Sequence, residues 1–193
     1  MSRAGDAGRR DLAVTIAAGL LVAALLFALP HLRTCGRSPA SVRRRRVTHV
    51  YDGDTVQVAG IAERVRFVGV DALDGHNKDK ARRQAERYGL STAQVQYWAR
   101  EATEFLQERL EGREVVLRRG AEDIDGYGRR LFYVHEATQD GEAGPDVNLQ
   151  LLERGLAVAY HGFPHPRLER YLQAEQRAWE QRRGLWADAR RGP

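Results

Sequence analysis

The order of apolar and polar positions changes character twice along this chain. No residue from Leu12 to Leu29 is charged, and from Val47 onward apolar residues alternate or recur at helical spacing. Val47 to Tyr51, Thr55 to Val58 and Arg64 to Val70 are β-rich runs parted by Asp-Gly and Ala-Gly turns, which predicts a strand meander. The polar stretch Asp74 to Gly89, dense in Lys and Arg, predicts a mobile loop. Ser91 and Gln94 have capping-box spacing and open a helix, with Val95, Trp98, Ala99, Ala102, Phe105 and Leu106 on one face and Gly112 closing it. Val115 to Arg118 and Leu131 to His135 predict two further strands. Past the Gly-rich loop Gly141 to Pro145, Val147 to Arg154 predicts a short helix. A last helix is expected from about Pro166 to Arg182, with Leu168, Tyr171, Leu172, Ala178 and Trp179 inward and Gly184 ending it.

Five short strands with interspersed helices predict an α+β chain built on a small Greek-key barrel of the OB type. Trp98, Trp179 and Trp186 read as core or helix-packing residues. The expected organisation is a basic tail at 1–11, an apolar segment at 12–29, a basic linker at 30–46, a folded domain at 47–188 and a short tail at 189–193. The apolar segment follows Arg9-Arg10 and stops at Pro30. As a helix at ~1.5 Å per residue it reaches roughly 27 Å, just enough for a bilayer core of about 30 Å. It reads as a single hydrophobic helix, either an uncleaved anchor or a cleaved signal. The anchor is favoured, because the run is long for a signal and the small-residue stretch Ser38-Pro39-Ala40 lies far from its end.

Charge narrows the partners. The 193 residues carry 31 Lys+Arg against 26 Asp+Glu, a net charge of +5, and most of the cations are arginine. Arginine pairs with phosphate through two parallel hydrogen bonds, so a polyanion suits this surface, as would plain solvation. The run Arg43 to Arg46 reads first as a solvated linker, with phosphate or anionic lipid as its other partners. A single cysteine, Cys35, excludes an intrachain disulfide and a cysteine-based zinc site in the domain.

Candidate chemistry lies in a spaced set of charges: Asp52-Gly53-Asp54-Thr55, then Arg66, Asp71, Asp74, and Arg129 within Gly126-Tyr127-Gly128-Arg129. Carboxylates that share a hard cation, with arginines that grip a phosphate, are the parts of metal-assisted phosphodiester hydrolysis. Taken singly, Asp-Gly is an ordinary hairpin turn and an arginine an ordinary surface ion pair. The set in this order is far more specific than its members. His161 and His165 read as loop residues, since no cysteine or third histidine stands in register with them.

The stretches Val50-Tyr51-Asp52-Gly53-Asp54-Thr55-Val56, Val65-Arg66-Phe67-Val68-Gly69-Val70-Asp71, Asp125-Gly126-Tyr127-Gly128-Arg129, Val147-Asn148, Arg154-Gly155-Leu156-Ala157 and Gly184-Leu185-Trp186 closely resemble the staphylococcal nuclease (thermonuclease) family, in the family's order from Val47 to Asp188. The resemblance implies an OB-fold barrel with three helices and Ca²⁺-dependent hydrolysis of DNA and RNA, leaving 3′-phosphate ends. It implies Asp54, Asp71 and the backbone carbonyl of Ala72 as metal ligands. Arg66 and Arg129 match the arginines on the scissile phosphate, and Tyr127 and Tyr160 match residues beside the nucleotide. Asp74 stands where the family has a glutamate that activates or orients the attacking water, and its carboxylate sits about one methylene nearer the backbone. The family's second tyrosine near the substrate corresponds to Gly162 here. The chain also exceeds the family pattern between Asp74 and Trp98, where Lys78, Lys80, Arg82, Arg83 and Arg87 lie.

DNA, RNA or both are the expected partners, with the membrane engaged through 12–29 and no obligate protein partner inferred. Arg33, Arg37 and the later arginines would favour a cytoplasmic domain. A nonspecific nuclease inside the cell is toxic, so the domain is expected outside the cytoplasm, anchored or secreted. The alternative function is a catalytically weakened, membrane-tethered module that binds nucleic acid without turning it over.

Overall fold

The computed structural model describes residues 43–193 apart from residue 163. The apolar run Leu12 to Leu29 and Cys35 lie outside the described residues, among which no helix is long and apolar enough to cross a membrane.

The chain orders its elements as β1 (Arg43–Asp52), β2 (Thr55–Val58), β3 (Val65–Phe67), β4 (Val70–Ala72), α1 (Lys78–Tyr88), α2 (Thr92–Leu110), β5 (Glu114–Ile124), β6 (Arg130–Ala137), β7 (Ala143–Asp146), α3 (Val147–Glu153), β8 (Ala157–Ala159), α4 (Leu168–Glu180) and a 3-10 turn (Gly184–Ala187). The main sheet runs β3-β2-β1-β5-β6-β7, and an additional parallel pairing joins β3 to β6. That pairing closes β3, β2, β1, β5 and β6 into a ring, consistent with the expected OB-like barrel, while β7 extends from β6 and β4 pairs with β8. Closure leaves those five strands without a free edge.

Valines dominate the interior of the ring. Val47, Val50, Val56, Val65, Phe67, Val115 and Val134 are almost wholly buried, and Ala102, Leu106 and Leu110 of α2 belong to the same core. Ser91 caps α2 as the sequence predicts, its side chain accepting from Gln94 N while the Gln94 side chain accepts from Ser91 N. Asn148, fully buried at the start of α3, accepts from Val134 N and donates to the Val68 carbonyl, both at 2.9 Å. Its amide thereby ties the two segments that flank the β3–β6 closure, which accounts for an otherwise unpartnerable polar side chain in the core.

Several expectations need correction. Asp74 to Gly89 is mostly the helix α1 rather than a loop, so four α-helices are described instead of three. Asn77 caps it by accepting from Asp79 N and Lys80 N, and Gly89 closes it in the left-handed region at φ 65°. Ala81, Ala85 and Tyr88 turn inward at i, i+4 and i+7, a stripe too sparse to recognise among so many charges. The basic run Arg43 to Arg46 is strand rather than linker: it pairs residue for residue with Leu117 to Glu114 of β5, and Arg44 forms an ion pair with Glu114. In α4 the buried face is Tyr171, Ala174, Glu175 and Ala178, whereas Leu172 and Trp179 are more than a third exposed. Glu175 takes an inward position because the buried Ala159 N donates to its carboxylate at 2.8 Å.

Trp186 is the tryptophan at the heart of the second core cluster, packed edge-on against Tyr88 with ring centroids 5.6 Å apart. The chain reaches it where Gly155 and Gly184, both at positive φ, let two backbones pass so closely that a Cβ on either would collide with main-chain atoms of the other segment. Leu185 N donates to the Gly155 carbonyl at this crossing.

Candidate active site

Asp54 is placed by the hairpin between β1 and β2, in which Asp52 faces Thr55 across the turn. Asp54 N donates to Asp52 Oδ1 at 3.1 Å, the local bond that an aspartate supplies to a turn. Gly53 is required sterically, because a Cβ there would lie 2.6 Å from that of Ala102 and 2.7 Å from that of Ala72. This close approach lets Asp54 Oδ2 accept from Ala72 N at 2.7 Å, so the turn is pinned to β4. Asp71 precedes on the same strand, paired with Val158 of β8.

Arg66 of β3 lies between the two carboxylates. Its Nε is 3.1 Å from Asp54 Oδ1, its Nη2 is 2.9 Å from Asp71 Oδ1, and its Nη1 donates to the Phe67 carbonyl at 3.1 Å. The Arg66 side chain is 10% exposed and that of Asp54 is 7%. Such a pair holds only while both members stay matched, since one left alone would be an uncompensated buried charge. Burial, and then the charge of neighbouring Asp54, push the Asp52 carboxyl up to about 6.

These residues share one cleft of about 620 Å³, lined by Asp52, Asp54, Arg66, Asp71, Asp74 and Arg129 together with Ala72 and Lys80. The two arginines thus face the aspartates from within the same cleft, although more than sixty positions separate them along the chain. Arg129 is steered by the turn before β6: its Nε donates to Asp125 Oδ2 at 2.7 Å and its backbone N to Asp125 Oδ1 at 3.0 Å. No other hydrogen bond ties the Arg129 guanidinium among the described residues. Tyr127 is almost fully exposed, with the Arg129 guanidinium 5.4 Å from its ring centroid. Neither Tyr127 nor Tyr160 lines the cleft, and Tyr160 is 43% exposed on the segment that follows β8.

Asp74 is engaged differently. Its Oδ1 accepts from His76 N and Asn77 N, each at 2.9 Å, and so fixes the loop that leads into α1. Its Oδ2 faces the Lys80 ammonium at 3.9 Å. Lys80 also lies 3.3 Å from Asp71 Oδ1. The sequence shows Lys80 only as one of five cations in a polar stretch; its place in the cleft follows from α1. Asp125 likewise appears in the sequence only as part of a motif.

His165 lies in the loop between β8 and α4, as expected, and is buried there, its Nδ1 3.0 Å from the Tyr133 hydroxyl; burial holds it below the usual histidine range. His161 is exposed. Among the described residues no three histidine, cysteine or acidic side chains form a ready-made metal cage. The carboxylates that line the cleft, Asp54, Asp71 and Asp74 among them, nonetheless suit a hard cation that completes its shell with water. A larger groove of about 910 Å³ lies elsewhere, lined by Glu101, Glu104, Glu108 and Glu153 among others. Arg109, Arg154 and Arg183 also line it, so charge does not separate the two; the smaller cleft is the candidate because Asp54, Arg66, Asp71, Asp74 and Arg129 come together there and none of them lines the larger groove.

A profile of staphylococcal nuclease homologues matches residues 64–188. The chain is 26% identical over 181 residues to the thermonuclease of Staphylococcus hyicus, covering 91% of this chain and 95% of that protein. It is 30% identical over 149 residues to the endonuclease YhcR of Bacillus subtilis, covering 72% of this chain but only 11% of that much longer relative. An uncharacterized endonuclease of Haemophilus influenzae is 28% identical over 169 residues, which cover 88% of this chain and 79% of that protein.

Proposed function

Because the chain belongs to the staphylococcal nuclease homologues, we propose that it is a nuclease, hydrolysing phosphodiester bonds of DNA or RNA with Ca²⁺ and leaving 3′-phosphate ends. The observation that carries this reading is the convergence of Arg66 and Arg129 with Asp54, Asp71 and Asp74 in one cleft. Its relatives named thermonuclease and endonuclease support it.

Asp54, Asp71 and the carbonyl of Ala72 would hold the ion. When bound, Ca²⁺ supplies Lewis-acid polarisation of a phosphoryl oxygen and neutralises its charge. The chain's own residues do the rest. Arg129, whose terminal nitrogens have no protein partner among the described residues, offers paired donors to the phosphate oxygens. Arg66, set between the buried Asp54 and the partly exposed Asp71, holds them in place and presents positive charge where negative charge grows on phosphorus. Preorganised donors of this kind typically contribute on the order of a hundredfold or more to a rate. Asp74 directs Oδ2 into the cleft and there orients, or takes a proton from, the attacking water. Its other oxygen is already engaged by two backbone N–H groups, which favours a slower reaction than a longer, freer carboxylate would give. The same observation supports the second reading, a binder with weakened turnover.

Residues 12–29 would tether the domain or direct its export, with the domain outside the cytoplasm. The deciding experiment incubates the full chain with single- and double-stranded DNA and with RNA, in Ca²⁺ or in chelator, and analyses the ends produced. Ca²⁺-dependent cleavage with 3′-phosphate ends is expected. Tight binding without any cleavage would favour the second reading.

A further inference from the structure

We propose that Lys80 is a built-in counter-cation of the cleft, which a divalent ion must displace from Asp71 and Asp74 in order to bind. The inference rests on the proposed function, since it concerns the same carboxylates. Lys80 is the only cation of α1 that lines the cleft, its Nζ 3.3 Å from Asp71 Oδ1 and 3.9 Å from Asp74 Oδ2. The backbone that carries it is fixed. Lys80 N donates to the Asn77 cap, and Asp74 Oδ1 accepts from Asn77 N, so lysine and aspartate stand on one hydrogen-bonded loop and first turn.

Two cations share Asp71 Oδ1, and exposure decides which one leaves. Arg66 is 10% exposed and also braces the 7% exposed Asp54, so moving it would strand a buried carboxylate. The Lys80 and Asp71 side chains are 34% and 24% exposed, and a pair so open to water is weak and easily broken. The ammonium is a compact point charge on a flexible stem that can swing into solvent without disturbing α1. Arg66 therefore stays as the permanent partner and Lys80 serves as the exchangeable one. While it stays, it competes for the same oxygens as the metal; once displaced, it still stands a few ångströms from a doubly charged ion. Both effects weaken divalent binding.

The test measures Ca²⁺ binding to the full chain by titration calorimetry without nucleic acid, comparing wild type with K80M, K80Q and K80R. K80M and K80Q are expected to bind Ca²⁺ roughly tenfold more tightly, the scale set by removing one unit charge a few ångströms from a divalent ion in a wet site. K80R keeps the charge and should stay near wild type. Thermal unfolding gives a second readout, because tighter binding yields a larger rise in Tm at a fixed Ca²⁺ concentration. Binding by the neutral variants alone would also support the proposal. Equal or weaker affinity in K80M and K80Q than in wild type would overturn it while leaving the nuclease reading intact. Absence of Ca²⁺ binding in every protein would overturn it together with the metal reading, and cleavage that persists in chelator would mark that case.

Discussion

Asp125 grips Arg129 at both ends, its Oδ2 accepting from the guanidinium Nε at 2.7 Å and its Oδ1 from the backbone N at 3.0 Å. Burial works against the Asp125 charge, yet the hydrogen bonds from Arg129 and Tyr127 outweigh it and hold the carboxyl below its ordinary range. Arg129 lines the cleft with its Nε held by Asp125, which leaves the terminal nitrogens to other partners. Asp125 is a positioning residue. Asp125→Ala is expected to lower kcat between about 10- and 100-fold through misplacement of the guanidinium, with a smaller change in KM. Asp125→Asn, which keeps an acceptor for the backbone, should recover part of the loss. Steady-state kinetics beside circular dichroism separate this from unfolding.

Asp74→Glu lengthens the side chain by one methylene and restores the residue type the family resemblance leads one to expect. Activity equal to or faster than wild type is expected, by up to about tenfold, because the longer carboxylate reaches further into the cleft. A single-turnover cleavage assay measures it. A rate lower than wild type would show that the short loop built around Asp74 is matched to its own residue.

Glu175 gives the protein a pH signature that is independent of catalysis. Burial raises its carboxyl to about 7, against the partial relief supplied by the Ala159 N–H and Arg87. Between the ordinary value of 4.5 and about 7, the native state holds a proton that the unfolded chain has lost. The associated stability is complete below pH 4.5 and is lost as pH rises through about 7, on the order of 3 kcal/mol. Glu175→Gln keeps an acceptor for Ala159 N and removes the titration. Denaturant melts at pH 5 and pH 8 should show a fall for wild type that is clearly smaller in the variant, the remainder including Asp52, whose carboxyl is also raised, to about 6.

Trp186→Ala should cost about 3–5 kcal/mol, since it empties a fully buried site beside Tyr88 and Leu185. Equilibrium urea unfolding measures the loss. Cleavage at low temperature, where the variant remains folded, should persist because Trp186 does not line the catalytic cleft.

Much of the barrel was legible because its strands are short β-branched, apolar-rich runs bounded by Gly-containing turns, and because Ser91 and Gln94 announce α2 through side chains that satisfy exposed N–H groups. The short pairings β4 with β8 and β7 with β6 were not legible, since three- and four-residue strands carry too few positions to show a period. Helix α1 hid behind its charges: inward Ala81 and Ala85 add little hydrophobic signal against Lys78, Lys80, Arg82, Arg83 and Arg87. Glu175 misled for the opposite reason. A carboxylate on the buried face of α4 contradicts apolar patterning until its partner, the Ala159 N–H of a distant strand, is known. In the cleft, the aspartates and arginines carried their chemistry in the sequence, whereas Lys80 acquired its position only from the helix that bears it.

The most direct test is the rate of single-stranded DNA cleavage in Ca²⁺ by the full chain and by Arg129→Ala. Arg129 is better suited than Arg66, whose loss would strand two carboxylates and confound folding with catalysis. A drop of about a hundredfold or more, with an unchanged circular dichroism spectrum and with wild-type cleavage abolished by chelator, is the expected result. Cleavage by Arg129→Ala at the wild-type rate would contradict the placement of hydrolysis in this cleft.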